Sequence, residues 1–409
     1  MNKTIADTLP DNWINTTLGN IAQLIMGQSP PGSTYNTKQK GMPFFQGKAE
    51  FGALYPVAEK WCTEPLKIAE SGDVLMSVRA PVGSVNFADQ KCCIGRGLCA
   101  IRLEKSLADN FYLFYYLKLI EPFLSQQGQG STFTAINRDQ LIKIKIPLPP
   151  LAEQKQIVAI LQEADALRRK KKEILEKSNR LASALFLEMF GDPVRNEKGW
   201  EDGALKDNIR LQGGYAFKSS DLNSNDGIKL LKIANVNYET IDWHETTFLP
   251  NSFINSYKDF SLNVNDIVIA LTRPIIQSLN AVKVGIISEK DIPCLLNQRV
   301  GRFIINEKSI NRTFLKYFLY TKYFKNQIEK LVQDALLPNI STNKIESINC
   351  YKPPLPLQND FAKKVEAIED TTKQIENSLQ KMEKLYDSLL QKAFTGNLWF
   401  DKLTMTKVS

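Results

Sequence analysis

Two long segments of the chain have the hydrophobic periodicity of α-helices and contain no internal glycine or proline. The first runs from Leu151 to Phe190, and the second runs from Leu357 to Phe394. Each follows a cluster of prolines and precedes a glycine, and these residues are typical of the start and the end of a helix. At 1.5 Å per residue, the pattern predicts two helices of about forty residues, each roughly 60 Å long.

The apolar positions of both predicted helices alternate between spacings of four and three residues, which is typical of a coiled-coil seam. On the first helix the predicted interface residues are Ile157, Ile160, Leu167, Ile174, Leu181 and Leu185. On the second they are Val365, Ile368, Ile375, Leu379, Met382 and Leu389. Polar residues interrupt the stripes, including Ser178 on the first helix and Thr372 on the second. We expect the two helices to pair antiparallel, because the second helix must return along the first.

The sequence before the first helix resembles the sequence before the second. In both, a turn leads into a short apolar run that ends at an arginine, at residues 72–79 and again at residues 265–273. Trp13 and Trp200 occupy matching places ahead of these segments. A repeat of this kind indicates an internal duplication, and the differences in spacing indicate insertions of loop size.

This pattern predicts an α+β protein in which two similar mixed α/β domains are separated by two long antiparallel coiled-coil helices. The predicted boundaries place a first domain at residues 1–147, a central helix at 148–192, a second domain at 193–350, a C-terminal helix at 351–400 and a tail at 401–409. The length of 409 residues agrees with several domains, because a single hydrophobic core rarely grows to this size.

The composition is that of an ordinary globular protein, with 43% hydrophobic and 23% charged residues. The net charge of +8 permits a nucleic acid as partner without requiring one. No apolar run reaches the roughly 18 residues that a membrane-spanning helix needs, and no signal-peptide pattern occurs, so we expect a cytoplasmic protein. The six cysteines form no CxxC pair, which favours free, buried thiols.

The signatures of common enzymes are missing from the sequence. It contains no phosphate-binding P-loop, no adenine-methyltransferase motif, and none of the HExxH, GxSxG or GxGxxG patterns. The single histidine, His244, has no array of other ligands at metal-binding spacing and is interpreted as a surface residue. We therefore expect a chain that is not an enzyme and that binds no cofactor and no metal.

Three motifs, together with the doubled plan, resemble the DNA-specificity subunit of type I restriction-modification enzymes. They are the Pro147–Ile157 entry into the first long helix, the segment Gly72–Gly83 and the loop Gly128–Phe133. The resemblance covers essentially the whole chain and is more specific in the first half. In the second half, Arg273-Pro-Ile-Ile replaces Arg79-Ala-Pro-Val, and residues 333–337 replace the glycine-rich loop.

The resemblance implies a noncatalytic adaptor whose two target-recognition domains each bind one half of a bipartite, asymmetric DNA site. The paired helices would set the gap between the half-sites and dock two methyltransferase subunits, and restriction subunits would complete the complex. S-adenosylmethionine, ATP and Mg would then be bound by partner subunits and not by this chain. Two alternatives remain at this point, namely a stand-alone DNA-binding regulator of the same fold and a noncatalytic protein-binding scaffold.

A recognition domain needs cations for phosphates and polar side chains that reach base edges in the major groove. Arginines at strand exits and polar loops after apolar strands meet this requirement, and so does an arginine between two glycines. The candidate DNA-binding residues are Gln46, Lys48, Arg79, Arg96, Lys232, Asn235, Arg273 and Arg299. For the arginines at strand exits, a structural ion pair is an equally good interpretation. The basic run Arg168–Lys172 extends all round a helix, which favours a solvated face over a DNA contact.

Overall fold

The computed structural model describes residues 9–127, 135–223, 225–332 and 339–398. The chain divides into two compact units, whose bounds differ from those of the five segments predicted from the sequence. The first unit contains residues 1–173 and 376–409, and the second contains residues 174–375. The difference arises because each long helix contributes side chains to both cores. Ile157 packs in the core of the first unit, whereas Phe186 packs in the core of the second.

The first unit contains eleven strands among its described residues. They are β1 (Ile14–Thr17), β2 (Ala22–Met26), β3 (Tyr35–Asn36), β4 (Met42–Phe45), β5 (Trp61–Cys62), β6 (Ile68–Ala69), β7 (Val74–Ser77), β8 (Val85–Phe87), β9 (Cys92–Ile94), β10 (Leu98–Leu103) and β11 (Lys145–Leu148). Its helices are α1 (Leu18–Ile21), α2 (Asn110–Gln127), α3 (Arg138–Ile142), the first part of α4 (Leu151–Phe190) and the last part of α9 (Leu355–Ala393).

The second unit contains nine strands among its described residues. They are β12 (Ile209–Gly213), β13 (Ile228–Leu231), β14 (Phe248–Leu249), β15 (Ile267–Ala270), β16 (Ile275–Ile276), β17 (Ala281–Val282), β18 (Val284–Ile286), β19 (Cys294–Leu296) and β20 (Val300–Ile305). Its helices are the last part of α4, α5 (Phe253–Ser256), α6 (Arg312–Leu319), α7 (Lys322–Val332), α8 (Thr342–Glu346) and the first part of α9.

The two units repeat one sheet topology, which confirms the α+β class and the internal duplication. A four-stranded sheet has the order β2-β10-β7-β8 in the first unit and β12-β20-β15-β18 in the second. A parallel strand pair accompanies each sheet, β4 with β9 and β13 with β19. The register also agrees, because Ser77 pairs with Leu98 in the first sheet and Ala270 pairs with Val300 in the second.

Each long helix begins in the same way, with a fully buried glutamine that binds the backbone around it. In the first unit, Gln154 accepts a hydrogen bond from the Asp109 N–H at 2.9 Å and donates to the Pro149 carbonyl at 2.8 Å. In the second, Gln358 accepts from the Asn311 N–H at 2.8 Å and donates to the Pro353 carbonyl at 2.7 Å. In both units, the same two hydrogen bonds of the glutamine therefore fix the start of the long helix to the proline-rich backbone before it and to the domain beside it.

The helices α4 and α9 pack antiparallel within each unit. In the second unit, Ser178 of α4 contacts Thr372 of α9, and Phe190, near the end of α4, packs on Phe361, near the start of α9. In the first unit, the Arg168 guanidinium lies 4.7 Å from the centre of the Tyr386 ring. Arg168 and Arg169 also pair with the buried carboxylate of Asp165, so part of the basic run is held against the helix pair and is not fully solvated.

The structure corrects three positions of the predicted helix interface. Leu167, Ile174 and Leu181 are 54%, 43% and 51% exposed. Their following residues, Arg168, Leu175 and Ala182, are less exposed, because the next position on a helix lies about 100° around its axis. Of the other predicted residues of α4, Ile157 is buried, and Ile160 and Leu185 are half-buried. All six predicted residues of α9 are buried or half-buried: Val365, Ile368, Ile375, Leu379, Met382 and Leu389.

Candidate nucleic-acid interface

Four loops of the first unit meet where strands of its main sheet begin or end, on one side of the unit. Three of these loops follow β2, β4 and β7, and the fourth connects β9 to β10. We call their residues 27–29, 46–48, 78–80 and 95–97 the first edge. Backbone hydrogen bonds join them, from Gln28 N to the Ile94 carbonyl at 3.0 Å, from Gly95 N to the Phe45 carbonyl at 2.8 Å, and from Val78 N to the Gly97 carbonyl at 2.8 Å. Polar residues that are far apart in sequence therefore lie side by side on a rigid scaffold.

Four of the predicted DNA-binding residues lie on the first edge. Arg79 and Arg96 are exposed, and within the described part of the chain neither side chain forms a hydrogen bond or an ion pair. Gln46 is half-buried, and Lys48 is exposed and lies 3.5 Å from the Glu121 carboxylate. The loop Gly128–Phe133, which contributed to the family resemblance, lies outside the described residues.

The same junction recurs in the second unit, and we call residues 214–216, 232–234, 271–273 and 297–299 the second edge. The equivalent backbone bonds run from Tyr215 N to the Leu296 carbonyl at 3.0 Å, from Asn297 N to the Leu231 carbonyl at 3.2 Å, and from Leu271 N to the Arg299 carbonyl at 2.9 Å. The segment 333–337, which replaces the glycine-rich loop, lies outside the described residues. Each unit therefore has one loop junction of the same construction.

The matching bonds assign equivalent positions on the two edges and correct one predicted equivalence. Arg79 was matched to Arg273, but the strand register aligns Arg79 with Thr272. Arg79 and Thr272 also form equivalent bridges to the chain further on, at Ala135 and Asn339. Arg273 lies one residue later, exposed and in the left-handed backbone region at φ 48°.

The two edges carry different side chains at most equivalent positions. Lys232 replaces Gln46, Gln298 replaces Arg96, Arg299 replaces Gly97 and Tyr215 replaces Gln28. In the first edge, a side chain in place of Gly97 would put its Cβ 2.1 Å from the Gln46 carbonyl oxygen. The close approach of the loop after β4 therefore requires glycine at position 97. The equivalent loop in the second unit leaves room for Arg299.

Among the candidates of the second unit, the structure contradicts Asn235 as a base contact. Its side chain is 1% exposed, accepts from the Lys232 N–H at 3.0 Å, and donates to the Asp242 and Glu245 carbonyls. It therefore organises the loop that presents Lys232 and has no free amide at the surface. The Lys232 ammonium lies 2.6 Å from Thr247 Oγ1, whereas Arg273 and Arg299 form no side-chain hydrogen bond or ion pair in the described residues.

Charge pairing differs between the two ends of the central strands. At the start of β7, Asp73 forms a two-pronged hydrogen bond with Arg102, and this raises the pKa of the guanidinium. At the start of β15, Asp266 lies 3.4 Å from Arg302 and 3.9 Å from Arg312. The arginines of the two edges, at the opposite strand ends, have no such neutralising partner in the described part. Among these arginines of the described part, those without an ion pair therefore lie at the loop edges.

Sequence reasoning missed one feature of the second edge, a β-hairpin that leaves it directly after Arg273. Strands β16 and β17 pair antiparallel, and four exposed residues, 277–280, form the tip. The only local signal was Asn280, a residue that tolerates the left-handed conformation it adopts at φ 51°.

The described residues contain no group of three or more His, Cys, Asp or Glu side chains arranged to hold a metal ion. All six cysteines are free and buried, and burial raises the pKa of Cys92, Cys99 and Cys294 to about 12. These thiols are therefore protonated at neutral pH and packed in the cores. No helix of the described chain is both long enough and apolar enough to cross a membrane.

Two relatives and one solved structure resemble large parts of the chain. The type I restriction enzyme MjaVIII specificity subunit of Methanocaldococcus jannaschii is 29% identical over 95% of this chain and 94% of that protein. The putative MjaX specificity subunit of the same organism is 48% identical, over 44% of this chain and 43% of that protein. A solved structure described as the basis of complex assembly and conformational transition of the type I R-M system has the same fold, with a TM-score of 0.61 at 16% identity over 95% of this chain and 99% of that chain.

The model of one protein family matches both halves of the duplicated chain. Its description is type I restriction modification DNA specificity domain, and it matches residues 10–177 and 197–384. Each match contains one loop edge together with parts of the long helices. The two matches together span well over half of the sequence, and they confirm the resemblance that the motifs predicted. The chain therefore belongs to the type I restriction modification DNA specificity family.

Proposed function

We propose that this chain is the noncatalytic DNA-specificity subunit of a type I restriction-modification complex. Each unit binds one half of a bipartite, asymmetric site in double-stranded DNA. The observation that carries the proposal is the pair of loop edges, which share one backbone construction but carry different polar side chains. A common scaffold with different side chains is suited to two different half-sites, because phosphate contacts position a protein and base contacts specify the sequence.

On the first edge, Arg79, Arg96, Gln46 and Lys48 contact the DNA, and on the second edge Lys232, Arg273 and Arg299 do so. The arginines have no competing carboxylate in the described residues, so their guanidinium groups are available for guanine edges or phosphates. Lys48 contributes less, because Glu121 lies 3.5 Å from its ammonium group. Asn235 supports the proposal only indirectly, by holding the loop of Lys232.

The long helices α4 and α9 set the length of DNA between the half-sites and dock two methyltransferase subunits. Exposed apolar side chains on α4, among them Leu167, Ile174 and Leu181, suit a helical protein partner. S-adenosylmethionine is bound by the methyltransferase subunits, and ATP and Mg are bound by restriction subunits where these join the complex. The assembled enzyme acts on DNA in the cytoplasm.

Co-expression with the cognate methyltransferase, followed by genome-wide mapping of methylated adenines, tests the proposal. We expect methylation at a single bipartite motif that disappears when this chain is omitted. Exchange of residues 1–147 for those of a relative should change one half of the motif and leave the other half intact. Methylation that is unaffected by omission of the chain, or a change in both halves after the exchange, would contradict the proposal.

The two alternatives make different predictions for the same complex. A stand-alone regulator of this fold would bind the bipartite site with full affinity without a methyltransferase. A protein-binding scaffold would give an assembly that does not bind DNA. The specificity subunit instead requires an assembly whose DNA affinity falls steeply with salt, because its cations displace counterions from phosphates.

A further inference from the structure

The hairpin of the second unit, residues 275–282, is an insertion relative to the first unit. Seven residues, 78–84, separate β7 from β8, whereas thirteen residues, 271–283, separate the equivalent strands β15 and β18. Apart from this insertion the sheets keep the same strand order and register. The additional residues therefore form a structure of their own at the second edge without disturbing the sheet behind it.

The base of the hairpin is anchored in the second unit. Ile275 pairs with Val282 and Ile276 with Ala281, and the Lys283 N–H donates to the Pro274 carbonyl at 2.6 Å to close the base. Val282 is 3% exposed and belongs to the hydrophobic core of the unit. The base of the ribbon is therefore anchored in the core of the unit, directly beside the second edge.

The tip carries polar side chains that are free of internal partners. Gln277, Ser278 and Asn280 are exposed, and none forms a side-chain hydrogen bond with another described residue. Leu279, between Ser278 and Asn280, is 58% exposed. The tip contains no charged residue, so it has no strong attraction for phosphates. Its composition instead suits contacts with neutral groups that include both hydrogen-bonding and apolar parts.

We propose that this hairpin enters the major groove and recognises an A·T base pair in the half-site bound by the second unit. The inference rests on the proposed function and adds a specificity-determining element to it. The major groove is wide enough for a two-stranded ribbon. An A·T pair presents there the N7 and N6 groups of adenine, which match the amide of Gln277 or Asn280, and the methyl group of thymine, which matches Leu279. Arg273, at the foot of the hairpin, lies where a neighbouring phosphate or guanine would be bound.

The first test is methylation mapping with the complete complex carrying the double substitution Gln277→Ala and Asn280→Ala. We expect one A·T position of a single half-site to become degenerate, with discrimination there falling roughly 5- to 150-fold. The matched control is Asn263→Ala, an exposed asparagine before β15, at the opposite end of the same strand. This control should leave the motif unchanged, and exchange of residues 1–147 identifies the half-site that the second unit binds.

The second test removes the thymine methyl group from the DNA. Replacement of each thymine of that half-site by uracil should weaken binding of the wild-type complex at one position, by about three- to fourfold. In the Leu279→Ala complex the same replacement should have no further effect, because the side chain that contacts the methyl group is already lost. Equal losses for both complexes would contradict the contact.

The outcomes separate this inference from the proposed function. A bipartite motif for the wild type that stays fully specified after the hairpin substitutions would overturn the inference alone. A half-site without any A·T pair would do the same. Absence of a bipartite motif for the wild type would overturn the proposed function and, with it, the role of the hairpin.

Discussion

Ser178 of α4 and Thr372 of α9 contact each other through their hydroxyl groups, with 2.6 Å between the oxygens. They are among the polar residues that interrupt the apolar stripes of the two helices in the sequence. The Thr372 hydroxyl donates to the Ile368 carbonyl at 2.7 Å, so the Ser178 hydroxyl is the donor between the helices. A half-buried polar pair of this kind favours one register of two helices, because a shift of either helix removes the acceptor of the Ser178 hydroxyl.

The Ser178–Thr372 pair should be detectable as an energetic coupling. We expect Ser178→Ala and Thr372→Val each to lower the free energy of unfolding by about 0.5–1.5 kcal/mol, and the double variant to lose less than the sum of the two. Urea denaturation of the full chain measures these values. Ser183→Ala, at an exposed position of the same helix, is the control and should be close to neutral. Additive losses in the double variant would show that the hydroxyls do not cooperate.

Gln154 should be important for stability although it is polar. Its side chain is 0% exposed and bonds the Asp109 N–H and the Leu107 and Pro149 carbonyls. Gln154→Ala leaves these buried backbone groups unsatisfied, which we expect to cost about 1–3 kcal/mol in thermal or urea unfolding. Gln156→Ala, an exposed glutamine two residues later, changes the same side chain without this loss. Equal stability of the two variants would contradict the buried network.

The long helices and the duplication could be predicted because their signals extend over many residues. The face of α4 was harder, since apolar residues occupy adjacent positions at Ile174 and Leu175 and again at Leu181 and Ala182. Both stripes fit a helical repeat, and a difference of one residue rotates the inward face by about 100°. Tertiary packing decides between the two, and it places Leu175 and Ala182 on the less exposed side.

The positions of the site residues depended on contacts that the sequence does not encode locally. Asn235 resembles a base-contacting amide in sequence, but its partners, the Asp242 and Glu245 carbonyls, follow seven and ten residues later in an irregular loop. Arg79 and Arg273 both end apolar runs, and only the strand register shows that Thr272 is the equivalent of Arg79. The convergence of four loops on each edge likewise becomes visible only when the sheet is folded.

Arg79 should specify one base of the half-site bound by the first unit. Arg79→Ala in the complete complex is expected to cost about 1–3 kcal/mol in specific DNA binding and to make one position of that half-site degenerate. The reason is the loss of a guanidinium that has no competing carboxylate in the described residues. Lys105→Ala, which removes an exposed cation beyond the opposite end of β10, is the control. A motif that stays fully specified in the Arg79 variant would argue against a base contact, and methylation mapping distinguishes the two results.

The buried cysteines should be unreactive in the folded protein. Burial raises the pKa of Cys93 to about 11 and of Cys92, Cys99 and Cys294 to about 12, above the ordinary thiol value of about 8.5. Because the folded-state pKa is raised, the contribution of these thiols to the free energy of unfolding is complete below about pH 8.5. This contribution is lost as the pH rises toward 12. Since all six thiols are free and buried, a thiol-reactive disulfide reagent at pH 8 should label the native chain slowly and the guanidinium-unfolded chain rapidly. Rapid labelling of a full equivalent of thiol in the native chain would place at least one cysteine outside the cores.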